Sequence, residues 1–161
     1  MEPMHEISHY LPHRGTMLLI DRLLEWQEDH VVAELRVPAS GPFHEDEGVP
    51  AWVGIEYMAQ TIAAWSGNRA RNAGDVPGIG FLLGSRRYLA HVQYFRAGAV
   101  LTVEARRELM GDNGLGMFAC RILEQGTEIA SANVSVFEPP DPMAYLENSK
   151  QPAQPHQGYR I

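Results

Sequence analysis

A single long helical pattern, from Pro50 to about Asn72, lies between stretches in which polar and apolar residues alternate, and it limits the folds open to this chain more than any other feature. Pro50 suits a first helical turn, where its missing N–H costs nothing, and Gly74 and Pro77 end the pattern. At about 100° per residue, Trp52, Ile55, Ala59, Ile62 and Ala63 fall in one apolar stripe, with Glu56 just inside its edge beside Gln60 and Ala63. An ionised carboxylate there is costly unless paired or protonated, because burial raises a carboxyl pKa. One reading makes Glu56 a proton donor or shared-proton group in an apolar pocket. The other leaves it at the stripe margin with its carboxylate turned to water. Gly67, inside the helix, marks a close approach or a weak point.

Around that helix the pattern is one of strands. Met17 to Trp26 is a compact apolar run and His30 to Val37 alternates, which predicts a hairpin turning at Gln27 to Asp29. Pro38 to Val49 is rich in Pro, Ser, Gly and acidic residues and reads as a loop. Ile79 to Val92, Ala99 to Leu109, Leu115 to Leu123 and Ile129 to Phe137 read as further strands, divided by turns such as Arg96-Ala-Gly98 and Gly111-Asp-Asn-Gly114. At least six strands and one helix predict an α+β layer in which an antiparallel sheet wraps the helix. Beyond Pro139 the chain is rich in Pro, Gln and Asn. The expected organisation is one domain over 1–138 and a mobile tail over 139–161.

Composition narrows the function classes. The 161 residues suit one domain, and 45% hydrophobic with 20% charged residues is ordinary for a soluble globular protein. No apolar run approaches a membrane span, and the first residues do not read as a secretion leader. A net charge of -7 argues against a nucleic-acid surface, although Arg69/Arg71, Arg86/Arg87 and Arg106/Arg107 form local basic pairs. Cys120 is the single cysteine; it reads as a buried inert thiol and fits a reducing cytoplasm. His5, His9 and His13 are spaced as metal ligands on a helix would be, but Pro12 interrupts them and no carboxylate or cysteine completes a set, so no metal is expected. His30, His91 and His156 have no partner at an informative spacing. Gly78-Ile-Gly80 and Gly84 lack the Gly-Lys-Ser/Thr phrase of a phosphate loop.

Three phrases in order carry a family resemblance: Leu11-Pro-His-Arg14, Met17-Leu-Leu-Ile-Asp-Arg22 and Ile55-Glu-Tyr-Met-Ala-Gln60. Over about residues 8 to 138 the chain resembles the 3-hydroxyacyl-acyl carrier protein dehydratases of type II fatty-acid synthesis, which have the hotdog fold. It is similar to the branch associated with aryl-polyene and related polyketide-type pathways, where the helix begins with a phrase like Pro50-Ala-Trp52.

The resemblance implies dehydration of a 3-hydroxyacyl thioester to the trans-2-enoyl thioester, with a loop histidine as base at the α-carbon and the helix carboxylic acid protonating the departing hydroxyl. Glu56 takes the acid's position, and the Ala51 N–H, where the family usually has glycine, takes that of the donor to the enolate-like thioester oxygen. The usual Gly-His-Phe-Pro-Gly phrase is absent. The nearby histidine is His44 in Pro42-Phe-His-Glu-Asp-Glu-Gly48, two residues closer to the glutamate than expected. It is the candidate base, and Glu45, Asp46 and Glu47 equally suit an exposed turn. The resemblance gives His13 structural hydrogen bonds and calls for no cofactor.

Trp52, Gln60 and Phe81 are candidate lining for an acyl pocket, with core packing as the plainer reading for the aromatics, as for Met58 and Trp65. Arg69, Arg71, Arg86, Arg87 and Arg96 could receive an acidic carrier protein. A homodimer, or a heterodimer with a homologous dehydratase, is expected, with the active sites at its interface. Thioester hydrolysis and a non-catalytic acyl-binding or partner subunit are the alternatives on the same scaffold.

Overall fold

A computed structural model describes residues 6–7, 10–11, 15–74 and 81–138, without the side chains of Thr16 and Phe81. Strands β1 (Arg22–Gln27), β2 (His30–Arg36), β4 (Phe81–Ala90), β6 (Val100–Met110), β7 (Leu115–Glu124) and β8 (Thr127–Phe137) form one antiparallel sheet in the order β1-β2-β6-β7-β8-β4. Two short strands, β3 (Val49–Pro50) and β5 (Tyr94–Phe95), pair separately. Between β3 and β4 runs α1 (Gly54–Asn72), entered through a 3-10 turn at Ala51–Val53 and closed where Gly74 takes a φ of 80°. The expected layer of sheet around helix is therefore present. The tail expected from residue 139 lies outside the described residues.

Alternation along the strands decides which side is core. Val31, Ala33 and Leu35 of β2 share the inner face with Val103 and Ala105 of β6, Phe118, Cys120 and Ile122 of β7 and Ala130, Ala132 and Val134 of β8, all buried. Most of the intervening residues are polar, Val32 and Ala119 apart, and some pair across strands, as with Arg121 and Glu104 at 2.5 Å. Between β7 and β8, Gln125 and Gly126 both take positive φ (50° and 79°), the two-residue turn whose twist matches antiparallel strands.

The first strand is shorter than its apolar run predicts. Met17, Leu18 and Leu19 leave the ladder because Gln60 on α1 takes their backbone groups: the Leu19 N–H donates to Gln60 Oε1 (2.8 Å) and Gln60 Nε2 donates to the Met17 carbonyl (2.7 Å). The buried helix face also differs from the expected stripe. Tyr57, Met58, Thr61, Ala64 and Trp65 meet the sheet, together with Ile62. Ile55, Ala59 and Ala63 are only half-buried and Trp52 is 62% exposed. Gly67 is a close approach, since a Cβ there would collide with the Tyr10 carbonyl.

Strand β4 forms an open edge of the sheet and exposes Leu82, Leu83 and Leu89. It is bulged: Arg86 pairs with Asn133 and Leu89 with Ser131, so Arg87 and Tyr88 together oppose one residue of β8, and Arg87 takes a φ of 55°.

Candidate active site

Glu56 sits in the first turn of α1 on the side turned away from the sheet, half-buried. Its Oε1 accepts a hydrogen bond from Gln60 Nε2 at 3.2 Å. Gln60, fully buried, is tied by its other contacts to Met17 and Leu19, so a fixed amide orients the carboxyl group. Gln60 therefore acts on Glu56 and on the chain entering β1.

His44 lies in the loop before β3. Its N–H donates to the Gly41 carbonyl (3.2 Å), and Glu45 and Gly48 exchange backbone hydrogen bonds at 2.8 and 3.1 Å. Gly48 has φ 131° and no room for a Cβ against the Phe95 carbonyl, which fixes the end of the loop on β5. Glu45 also accepts a hydrogen bond from the Tyr94 side chain, and its charge holds that phenol above its ordinary pKa. His44 lines a cavity of about 170 Å³ with Asp21, Arg36, Phe43 and Tyr57. Glu56 is not among the residues lining that cavity. Tyr57 is 2% exposed, and burial, with Tyr88 and Asp21 adding, pushes its phenol up to about 12. Asp21 accepts the Arg36 N–H at 2.7 Å.

At the start of the helix, the Ala51 N–H donates to the Gln93 carbonyl at 2.9 Å, extending the pairing of β3 with β5. It is thus already engaged and does not stand free as the expected oxyanion donor. The Ala51 carbonyl accepts from both the Gly54 N–H and the Tyr88 hydroxyl. Trp52 packs edge to face on Phe43, with ring centroids 6.1 Å apart, tying the His44 loop to the first turn of the helix. Its 62% exposure places it outside any enclosed pocket of the chain.

The arginines divide between the two ends of α1. Arg69 and Arg71 lie in its last turn, and Arg69 with Arg107 flanks the buried Trp65 ring at 5.4 and 5.6 Å. From Glu56 to Arg69 the helix rises about 20 Å. Arg86 and Arg87 on β4 and Arg96 after β5 are exposed at the other end, Arg96 beside Gly48.

An open basin of about 430 Å³ lies on the outer face of the sheet, lined by His30, Arg87, Arg106 and Arg121 among others and separated from α1 by the sheet itself. His30 lies 3.9 Å from Glu25 and His91 is exposed after β4. His5, His9, His13, His156, the Gly78–Gly80 phrase and the Phe81 side chain lie outside the described residues. Among the described residues no group of three or more His, Cys, Asp or Glu could hold a metal ion. Burial, with Glu108 adding, pushes the Cys120 thiol up to about 12, as an inert core thiol requires. Sequence reasoning missed Asp21, Arg36, Tyr57 and Tyr88. Asp21 and Tyr57 stood in quoted phrases without a role, whereas nothing in the pattern marked Arg36 and Tyr88.

A family model described as ApeP-like, ApeP dehydratase, matches residues 5–147. A 3-hydroxyacyl-[acyl-carrier-protein] dehydratase FabZ of Streptococcus pyogenes serotype M49 is 30% identical over 138 residues, covering 74% of this chain and 99% of the relative. The dehydratase heterocomplex ApeI:P from Xenorhabdus doucetiae superposes with a TM-score of 0.84 and 27% identity, over 92% of this chain and 100% of that one. A hypothetical thioesterase with coenzyme A from Streptococcus pneumoniae TIGR4 shares the fold alone, with 15% identity and a TM-score of 0.56 over 73% of this chain and 84% of that one. The sheet wrapped on one helix is thus the hotdog fold, and the chain belongs to the ApeP-like dehydratase family.

Proposed function

We propose that the protein dehydrates a 3-hydroxyacyl thioester on an acyl carrier protein to the trans-2-enoyl thioester, in a fatty-acid or polyketide-type, aryl-polyene-like pathway. His44 takes the C2 proton, Glu56 delivers its proton to the C3 hydroxyl as the C3–O bond breaks, and water leaves. The thioester bond stays intact, and a proton returned from His44 to Glu56 resets the pair. The observation that carries the reading is Glu56 held by a buried, doubly anchored Gln60 on the face of α1 that the sheet does not cover. A carboxyl fixed in one orientation beside a half-open apolar stripe suits a proton donor to a bound acyl chain.

Because the His44 cavity does not include Glu56, we place the working site at a subunit interface, where a partner copy or a homologous dehydratase completes it. The exposed leucines and unpaired edge of β4 support such pairing. Arg86, Arg87 and Arg96, at the helix-start end, are the better placed carrier-protein contacts. Arg69 and Arg71 lie at the opposite end of the helix. The buried Cys120 fits a cytoplasmic setting, and no helix among the described residues is long and apolar enough to cross a membrane.

The test is enoyl formation on carrier-bound substrate by His44→Ala and Glu56→Gln, alone and mixed. Each alone should fall by about 100- to 10,000-fold, and mixing and re-pairing should restore part of the activity. Full activity in His44→Ala would remove it as base. No turnover by any form, including wild type, would favour a non-catalytic partner subunit.

A further inference from the structure

The peptide joining Ala51 to Trp52 is held from one side only. Its carbonyl receives two donors, the Gly54 N–H and the Tyr88 hydroxyl, while among the described residues its N–H, that of Trp52, donates to no backbone carbonyl. A peptide whose carbonyl accepts hydrogen bonds is polarised, and its N–H becomes a stronger donor. Three features of the chain converge on this contact. The bulge at Arg87 shifts the alternation of β4 so that Tyr88 reaches the helix start. Position 54 is glycine, and any Cβ there would occupy the place of the Tyr88 hydroxyl. Burial pushes the Tyr88 phenol up to about 12, so it stays protonated and donates. The neighbouring Ala51 N–H is meanwhile engaged by Gln93.

We propose that Tyr88 is a positioning residue for the dehydration, acting through the Ala51–Trp52 peptide to strengthen the Trp52 N–H as the donor to the enolate-like thioester oxygen. This rests on the dehydratase reading above. Trp52 stands one turn before Glu56, and its ring packs on Phe43, the neighbour in sequence of His44, so its N–H belongs to the end of the helix that carries the acid candidate.

The test combines turnover with amide NMR of the full chain. Phenylalanine at position 88 keeps the ring and removes the donor; 3-fluorotyrosine keeps the donor and makes it more acidic. The expected order of kcat is fluorotyrosine, then tyrosine, then phenylalanine, with Tyr88→Phe lower by about 3- to 10-fold and KM nearly unchanged. That is a fraction of the loss expected from deleting an oxyanion donor outright. The Trp52 amide proton should move upfield in Tyr88→Phe, and its downfield response to an acyl thioester lacking the 3-hydroxyl should shrink. A purely structural tyrosine would lower the Tm without producing that order, and an unmoved Trp52 amide would overturn the proposal. Wild-type protein that forms no enoyl product would overturn the oxyanion role through failure of the dehydratase reading, a result distinguishable because the Trp52 amide would still respond to Tyr88→Phe.

Discussion

On the sheet-facing side of α1, Tyr57, Met58, Thr61, Ala64 and Trp65 are at most 2% exposed, whereas on the other side Ile55, Glu56, Ala59 and Ala63 are half-buried and Trp52 is 62% exposed. Both sides are largely apolar, and the sheet covers one of them. Where the chain supplies its own partner, side chains are closed off by in-chain bonds: Trp65 Nε1 donates to the Gln27 carbonyl (3.0 Å), and Trp26 Nε1 donates to the Trp65 carbonyl (3.1 Å). Where it does not, the apolar surface surrounds a carboxyl group held in one orientation. An apolar face left half-open around a fixed carboxyl is what a substrate or second subunit would be expected to cover.

The comparison breaks most visibly at the two tryptophans. Trp65→Ala should cost about 3–5 kcal/mol in chemical denaturation, the usual loss for a buried aromatic. Next is Gln60→Leu, which leaves the Leu19 N–H and Met17 carbonyl without their partner and should cost about 1–3 kcal/mol. Its enoyl formation should fall further than the folded fraction does, because Glu56 loses its orienting amide. Wild-type activity in that variant would detach Gln60 from the site.

Alkaline unfolding gives a smaller effect. The Tyr57 and Tyr88 phenols, raised from 10 to about 12, stay protonated in the folded chain while the unfolded chain ionises. Their stabilising effect is complete below pH 10 and lost as pH rises through 12, by roughly 1–2 kcal/mol each after allowance for solvent. Denaturation midpoints for wild type and Tyr57→Phe between pH 9 and 12 check this, and the variant's curve should be flatter. Smallest is Trp52→Ala, within about 0.5 kcal/mol when the protein is dilute. A larger loss appearing only at high protein concentration would show that a partner covers this face.

Much of the fold could be read from alternation and turn residues. Strands β6, β7 and β8 and the end of α1 at Asn72 lie within about two residues of expectation, as is usual for strongly periodic segments. The helix orientation was less accessible, because apolar residues on both sides of α1 give two stripes and periodicity alone does not say which one meets the sheet. Glu56 was visible as a carboxyl among apolar neighbours. The engagement of the Ala51 N–H was not, since it depends on Gln93 arriving from a distant strand pair too short to show a period. Tyr88 was hidden for a related reason: the bulge that turns it toward the helix start leaves no mark in the residue pattern of β4.

The most direct test is a single time course of wild-type protein with a 3-hydroxyacyl thioester on carrier protein, following enoyl-thioester absorbance and free thiol together. Dehydration predicts enoyl product with no thiol release. Thiol release, or neither signal across a panel of chain lengths with a homologous partner present, would contradict it.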